Sequence, residues 1–280
     1  MSYRLSIAGK TDRGRRRAKN EDCLSLDKDL GFMLVADGMG GHASGEVASK
    51  LASEICTEQL RRALKTGRVP VPTHVPANGR LDPRTLLLGD CVKMANRAVF
   101  EAAQNDPTKH NMGTTLVAAL WLDDKLAVCN VGDSRLYVSK VGRLTQVTVD
   151  HSFVQEQVER GLMKAEDAEK SELRNMLTRS VGIDEDVDVD VMEAQLSPGD
   201  FVLLCSDGLT KMLNDREIEK VFQEKNDPAE IVSELIRRAN QAGGADNITC
   251  AVGRLEGSPA TWAPLADRVK AMFRKKVETQ

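Results

Sequence analysis

The sequence predicts an α+β protein whose antiparallel sheets carry helices on their outer faces. Short apolar runs at 114–122, 125–131, 135–140 and 144–149 follow one another through brief polar or glycine turns, as hairpins do. Helical periodicities arrive in pairs between groups of strands, near 44–65 and 82–103 and again near 215–225 and 228–241. That order argues against a doubly wound parallel sheet, in which strands and helices alternate.

Taken in order, residues 31–36 form a continuous apolar run that stops at Asp37-Gly38, the pattern of a strand buried on both faces and ended by a turn. A helix follows over roughly 44–65, with Ser44 as its expected cap, Glu46 in the first turn, and an apolar stripe of Val47, Leu51 and Ile55 beside Ala48, Ala52 and Cys56. Pro70, Pro72, Pro76 and Gly79 mark 66–81 as a loop, and Asp82-Pro83 restarts a helix. After the hairpins, 151–181 is polar and weakly periodic, as short helices and loops are. Strands return at 187–194 and 201–205 around the turn Ser197-Pro198-Gly199-Asp200. Asp227-Pro228 opens the second of two further helices, and 247–255 is the last strand.

Composition narrows the function classes. A net charge of −3 gives no global reason to expect nucleic-acid binding. No run of apolar residues is long enough to span a membrane, and the first residues lack the apolar stretch of a signal peptide. The six cysteines lie scattered without CxxC spacing and mostly within apolar segments, so buried reduced thiols in a cytoplasmic protein are expected.

Charge breaks the strand pattern at a few places. Leu34-Val35-Ala36-Asp37-Gly38 and Leu203-Leu204-Cys205-Ser206-Asp207-Gly208 are one device, an apolar strand delivering an aspartate and then a glycine. Asp246 precedes the last strand, and Asp133 sits between two others. A carboxylate at the edge of an apolar core is costly unless it is paired or metal-bound. No Arg or Lys lies within either Asp-Gly element, and hard oxygen donors favour Mg²⁺ or Mn²⁺. One Asp-Gly is a turn signal; two of them together with Asp246 and Asp133 suggest an acidic metal site.

Eight segments, in order, resemble the metal-dependent protein phosphatases of type 2C, in the form of the bacterial branch. They are Arg17-Ala18-Lys19-Asn20-Glu21-Asp22, Asp37-Gly38-Met39-Gly40-Gly41-His42, Gly113-Thr114-Thr115, Gly132-Asp133-Ser134-Arg135, Asp150-His151-Ser152, Leu177-Thr178-Arg179, Ser206-Asp207-Gly208-Leu209 and Asp246-Asn247-Ile248-Thr249. The resemblance implies a central β-sandwich of two antiparallel sheets with pairs of helices on both outer faces, a four-layer αββα arrangement. It implies hydrolysis of phosphoserine and phosphothreonine by a metal-activated water, with two Mn²⁺ or Mg²⁺ ions and a possible third.

It also implies roles. Asp37 would bridge two ions with the Gly38 carbonyl in support, Asp207 and Asp246 would hold the first, and Glu21 and Asp22 would serve the second. Asp133 with Asp207 would form a third, weaker site. Arg17 would bind phosphate through its planar fork, although as part of Arg13, Arg15, Arg16, Arg17 and Lys19 it also reads as a basic surface run. Arg15 and Arg16 are then solvated charges or aids to docking acidic substrates. His42 would protonate the leaving serine oxygen or else bond to loop backbone at a helix start. His151 is expected to cap the following helix. Residues 152–186 correspond to the family's flap, where Arg179 touches substrate or forms a structural ion pair. Ser134 reads as a turn residue and Arg135 as a partner for carboxylates. Phosphorylated proteins, a Ser/Thr kinase among them, are the implied partners of a monomer.

Three rivals are open to test. Cys-x5-Arg, the tyrosine-phosphatase spacing, occurs at Cys56/Arg62, Cys91/Arg97 and Cys129/Arg135. The first two fall within helices, and the third would place Asp133 inside the phosphate loop and a strand after it. A small-molecule phosphohydrolase would share the metal site, and a non-catalytic binding module would keep the fold without turnover. The catalytic domain is expected over 1–256. Beyond it, Gly257-Ser258-Pro259 reads as a linker, and Leu265, Val269, Met272, Phe273 and Val277 recur at helical spacing among basic residues. That segment is expected to be a docked helix, with a membrane-surface or partner contact as the other reading.

Overall fold

The computed structural model describes residues 4–40, 44–66, 81–122, 125–168 and 170–256. Its strands are β1 (Arg4–Asp12), β2 (Asp22–Asp27), β3 (Phe32–Met39), β4 (Gly113–Thr114), β5 (Leu116–Leu122), β6 (Lys125–Val131), β7 (Arg135–Lys140), β8 (Arg143–Gln146), β9 (Asp190–Gln195), β10 (Phe201–Cys205) and β11 (Ile248–Glu256). Its helices are α1 (Ser44–Thr66), α2 (Pro83–Asn105), α3 (Phe153–Glu159), α4 (Ala165–Ala168), α5 (Asp207–Thr210), α6 (Asp215–Glu224) and α7 (Pro228–Gln241). One sheet runs β1-β11-β10-β7-β8; the other runs β2-β3-β5-β6-β9, with β4 paired to the end of β3. Each of these pairings is antiparallel.

The alternation of side chains along a strand sorts the core into three layers. On β3, Met33 and Val35 point between the sheets with Val117, Val128, Leu136 and Leu204. Phe32, Leu34 and Ala36 point the other way, onto α1 and α2. On β10, Val202 and Leu204 face the inter-sheet layer, whereas Leu203 and Cys205 meet Ile218, Leu235 and Ile236 of α6 and α7. Three apolar interfaces separate four layers, the αββα order expected. It also explains why these strands read as unbroken apolar runs: both of their faces are covered.

The helix starts follow from local chemistry. Asp82 accepts from Arg84 N–H ahead of Pro83, and Asp227 accepts from Ala229 and Glu230 N–H ahead of Pro228. Asn214 and Glu217 form a reciprocal capping box on α6.

Several boundaries differ from expectation for identifiable reasons. Ser44 is already helical, not a cap, and its Oγ donates to the Thr108 carbonyl. The α1 stripe is narrower than expected. Ala48, Ala52 and Cys56 are fully buried while Val47 is 38% exposed, because small residues let the helix lie close to the sheet. The 114–122 strand breaks at Thr115, whose N–H turns to the Asp37 carbonyl at 2.8 Å. β8 ends at Gln146 rather than 149, and β9 begins at Asp190 because Val187 and Val189 pack against the helix layer instead of entering the ladder. Most of the expected 66–81 loop and the 257–280 segment lie outside the described residues. Among the described residues no helix is long and apolar enough to cross a membrane.

Ala52→Leu should overpack the α1–sheet interface and lower stability by about 1–3 kcal/mol, read by urea denaturation. Val47→Ala on the exposed side of the same helix should stay within about 0.5 kcal/mol of the parent.

Candidate metal centre

Both Asp-Gly elements end at the same rim of the sandwich. Asp37 and Gly38 close β3, where Asp37 is the cross-strand partner of Asp22 on β2. Asp207 opens α5 directly after β10, and Asp246 precedes β11. The glycines are fixed by close approach. A Cβ on Gly38 would stand 2.1 Å from the Gly45 carbonyl oxygen and 2.6 Å from that of Glu21, and one on Gly208 would stand 1.8 Å from the Asn247 carbonyl oxygen. Each glycine lets another element's backbone run against the strand end that carries the aspartate. Gly132, at φ 102°, does the same beside Thr115 and delivers Asp133.

Polar side chains stitch the rim together. Ser206 Oγ donates to Asp22 Oδ2 at 2.8 Å and accepts from Thr249 N–H at 3.1 Å, linking one sheet to the other. Asn247 accepts from Glu21 N–H at 2.8 Å and donates to the carbonyls of Arg13 and Lys19 at 3.0 and 2.8 Å. The Glu21 carbonyl accepts from Gly38 N–H and from Ser49 Oγ. Thr115 Oγ1 accepts from Asp37 N–H at 3.0 Å and lies 2.6 Å from the buried Ser134 hydroxyl, which is therefore a core pin rather than a turn residue.

The resulting field is strongly acidic. Burial, then the neighbouring charges of Asp22, Asp207, Asp133 and Asp246, hold the Asp37 carboxyl well above the usual carboxylate range. Burial pushes Asp22 up to about 6 against the hydrogen bonds of Thr249 and Ser206. Burial and the charges of Asp207 and Asp150 push Asp133 up to about 7. Two cations answer. Arg17 grips Asp246 with Nε and Nη2, each at 2.8 Å. Lys211 pairs with Asp207 and lies 3.6 Å from Asp246. Asp22 Oδ1 and Asp207 Oδ1 are nevertheless buried without a hydrogen-bond partner.

Hard carboxylate oxygens, mutual repulsion and two orphaned buried oxygens fit a divalent cation. The carboxylates do not by themselves close into a cage. Among the described residues, no three Asp, Glu, His or Cys side chains stand in ready-made ligating geometry. Mutual repulsion and the pull of Lys211 and Arg17 account for that openness.

The remaining candidates divide. Glu21 reaches the rim through its backbone, and His42 lies outside the described residues. Arg179 forms an ion pair with Asp190 at 2.8 Å. His151 does not cap a helix. Ser152 does, while His151 Nδ1 accepts from Gly132 N–H at 3.1 Å and its Nε2 meets Asp190 at 3.2 Å. Arg135 pairs with Asp150 as expected. Cys129 is fully buried, and burial drives its thiol far above the ordinary range, which removes it as a nucleophile.

Lys211 was not anticipated. Its signal in the sequence is the i,i+4 spacing from Asp207, which falls outside the Asp-Gly element itself. The structural role of Asn247 had no sequence signal beyond its place after Asp246. Two surface grooves, of about 360 and 540 Å³, flank the Val141-Gly142 turn and contain none of the rim aspartates.

The raised carboxyls have a sign that can be measured. Folded Asp22 and Asp133 keep protons that the unfolded chain releases near its ordinary value of 3.8. Their contribution to stability is full below about pH 4 and is lost as pH rises through 6 to 7. In chelator, the melting temperature of the parent should fall more steeply between about pH 5 and 7.5 than that of Asp133→Asn. Mn²⁺ should flatten the parent's slope, because the cation replaces the protons. Identical slopes for parent and variant would contradict this field.

With that geometry in hand, similarity to known proteins is informative. Residues 11–252 match the family described as Protein phosphatase 2C. The serine/threonine phosphatase stp of Listeria monocytogenes is 36% identical over 245 residues, 86% of this chain and 92% of that protein. The serine/threonine protein phosphatase PstP of Mycobacterium tuberculosis is 34% identical over 248 residues, 89% of this chain and 44% of that longer one. The crystal structure of Mycobacterium tuberculosis PstP/Ppp matches with a TM-score of 0.75 at 34% identity, covering 90% of this chain and 99% of that one. The catalytic domain of PstP in complex with two manganese ions matches at 0.74 and 33% identity, covering 91% and 100%. The matched span contains every rim aspartate from Asp22 to Asp246, and on this footing the chain belongs to the protein phosphatase 2C family, in its bacterial branch.

Proposed function

We infer that this chain is a metal-dependent protein serine/threonine phosphatase that hydrolyses phosphoserine and phosphothreonine on other proteins. The observation that carries the reading is the meeting of aspartates from both sheets at one rim, with buried oxygens left over for a cation. Nothing favours the small-molecule or non-catalytic alternatives.

The PstP catalytic domain is described with two manganese ions, and we assign a pair of Mn²⁺ or Mg²⁺ ions here. Asp37 would contact both, with the Gly38 carbonyl beside it; Asp207 and Asp246 would hold one, Glu21 and Asp22 the other. Asp133 with Asp207 is assigned a third, weaker ion. Bound ions supply the positive charge that acidifies water and neutralises phosphoryl oxygens.

The chain's own residues do the rest. Arg17 spends two of its five N–H donors on Asp246, and the remainder can hold phosphate oxygens. Lys211, paired with Asp207 and Asp246, offsets negative charge where the phosphate approaches. His42 is assigned the proton that the leaving serine oxygen requires. Arg179, anchored on Asp190, positions the flap rather than touching substrate.

We assign residues 1–256 to one catalytic domain, with 152–186 as its flap and 257–280 appended. Bacterial relatives that are serine/threonine phosphatases support a role opposing a Ser/Thr kinase. The free, mostly buried cysteines support a cytoplasmic setting, and we assign a monomer as the working unit.

A phosphothreonine peptide should be dephosphorylated only with Mn²⁺ or Mg²⁺ present, and chelator should abolish the reaction. Asp207→Ala should lose at least about 100-fold, whereas Cys129→Ser should match the parent. Equal rates for parent and Asp207→Ala would refute the assignment.

A further inference from the structure

We propose that the loop 13–19 is a specificity rim that selects substrates carrying acidic residues beside the phosphorylated one. The proposal rests on the phosphatase reading. Arg13, Arg15, Arg16, Arg17 and Lys19 fall within seven positions that contain no acid, on a chain whose net charge is −3. All five are exposed. Arg17 is occupied by Asp246. Arg13 Nη1 donates to the Ala18 carbonyl at 3.3 Å, and among the described residues no carboxylate pairs with Arg13, Arg15, Arg16 or Lys19. Asp12 is near enough to feel Arg15, but its Oδ1 is taken by Gly14 N–H and Asn240 Nδ2. These cations therefore repel one another, and among the described residues Arg13, Arg15, Arg16 and Lys19 have no ion-pair partner to offset that repulsion.

The loop is also held in place, which an ordinary solvated charge run does not need. Asn247, the residue after Asp246, donates one hydrogen bond to the carbonyl at each end of the run, Arg13 and Lys19. Arg15 N–H donates to the Gly244 carbonyl at 2.7 Å. Gly14, at φ 77°, passes so close that a Cβ would stand 2.1 Å from the Asp246 carbonyl oxygen. The cationic loop is thus bolted to the residues that carry a rim aspartate.

Reach does the rest. Arg15 and Arg16 are one and two residues from Arg17, so their Cα atoms lie within about 7 Å of its Cα. An extended substrate advances about 3.3 Å per residue. Once its phosphate is on Arg17, side chains two or three positions away pass over Arg15 and Arg16. Glutamate and aspartate there gain partners that phosphate alone does not use, and lysine there is repelled.

The test compares two phosphothreonine peptides, identical but for flanking Glu or flanking Gln, on the parent and on Arg15→Gln/Arg16→Gln. With Mn²⁺, the parent should show a kcat/KM about tenfold higher for the Glu peptide, and the double variant about twofold or less. Turnover of p-nitrophenyl phosphate, which has no flanks, should be the same in both proteins. The parent's preference should shrink in about 0.5 M salt, where charges a few ångströms apart in water are screened. A second readout is independent of turnover: in chelator, fluorescence anisotropy should show the labelled Glu peptide binding more tightly than the Gln peptide to the parent only. Equal treatment of the two peptides by the parent, in rate and in binding, would overturn the proposal, as would a preference that survives in the double variant. A parent unable to hydrolyse p-nitrophenyl phosphate would instead defeat the phosphatase reading, with the binding comparison still deciding the rim.

Discussion

Like charges held together are the constraint on which this molecule turns. Asp22, Asp37, Asp133, Asp207 and Asp246 come from five separate stretches of chain and end within one another's field, and among the described residues Lys211 and Arg17 form ion pairs with them. Water would screen such a cluster on an open surface, but burial here raises Asp37, Asp22 and Asp133 far above the usual carboxylate range. The metal-free site must therefore hold protons, recruit cations from its own side chains, or open out. Divalent ions relieve all three at once, so cation binding and the integrity of the rim are one energetic problem.

The four-layer fold makes that cluster possible. Apolar faces on both sides of β3 and β10 fix the strands so firmly that their ends can carry charge without moving. Gly38 and Gly208 then allow neighbouring backbone to approach where any side chain would collide. Ser206 and Asn247 complete the frame by bonding across from one sheet to the other. Rigidity comes from the apolar layers and direction from a few short polar contacts.

Much of this was legible before any coordinates. Hairpin spacing and paired helices pointed to antiparallel sheets with outer helices, and the paired Asp-Gly strand ends pointed to an acidic metal site. What escaped was tertiary in origin. The break at Thr115 depends on a hydrogen bond to Asp37, distant in the chain. The burial of Ala48, Ala52 and Cys56 instead of the larger Val47 reflects how close α1 lies to the sheet, which periodicity alone does not report. His151 resembled a cap because Ser152 beside it is one; its bonds to Gly132 and Asp190 join segments that only folding brings together. Lys211 lies one helical turn beyond the Asp-Gly element, and only the helical turn of α5 brings it back onto Asp207.

Divalent cations filling the gap between these carboxylates are what the site requires. Crystals grown with Mn²⁺ and measured at the manganese absorption edge give the direct answer. Two anomalous peaks about 3.5–4 Å apart beside Asp37, with Asp207 and Asp246 on one of them, are the expected result. A map with no peak at the rim at saturating Mn²⁺ would contradict it.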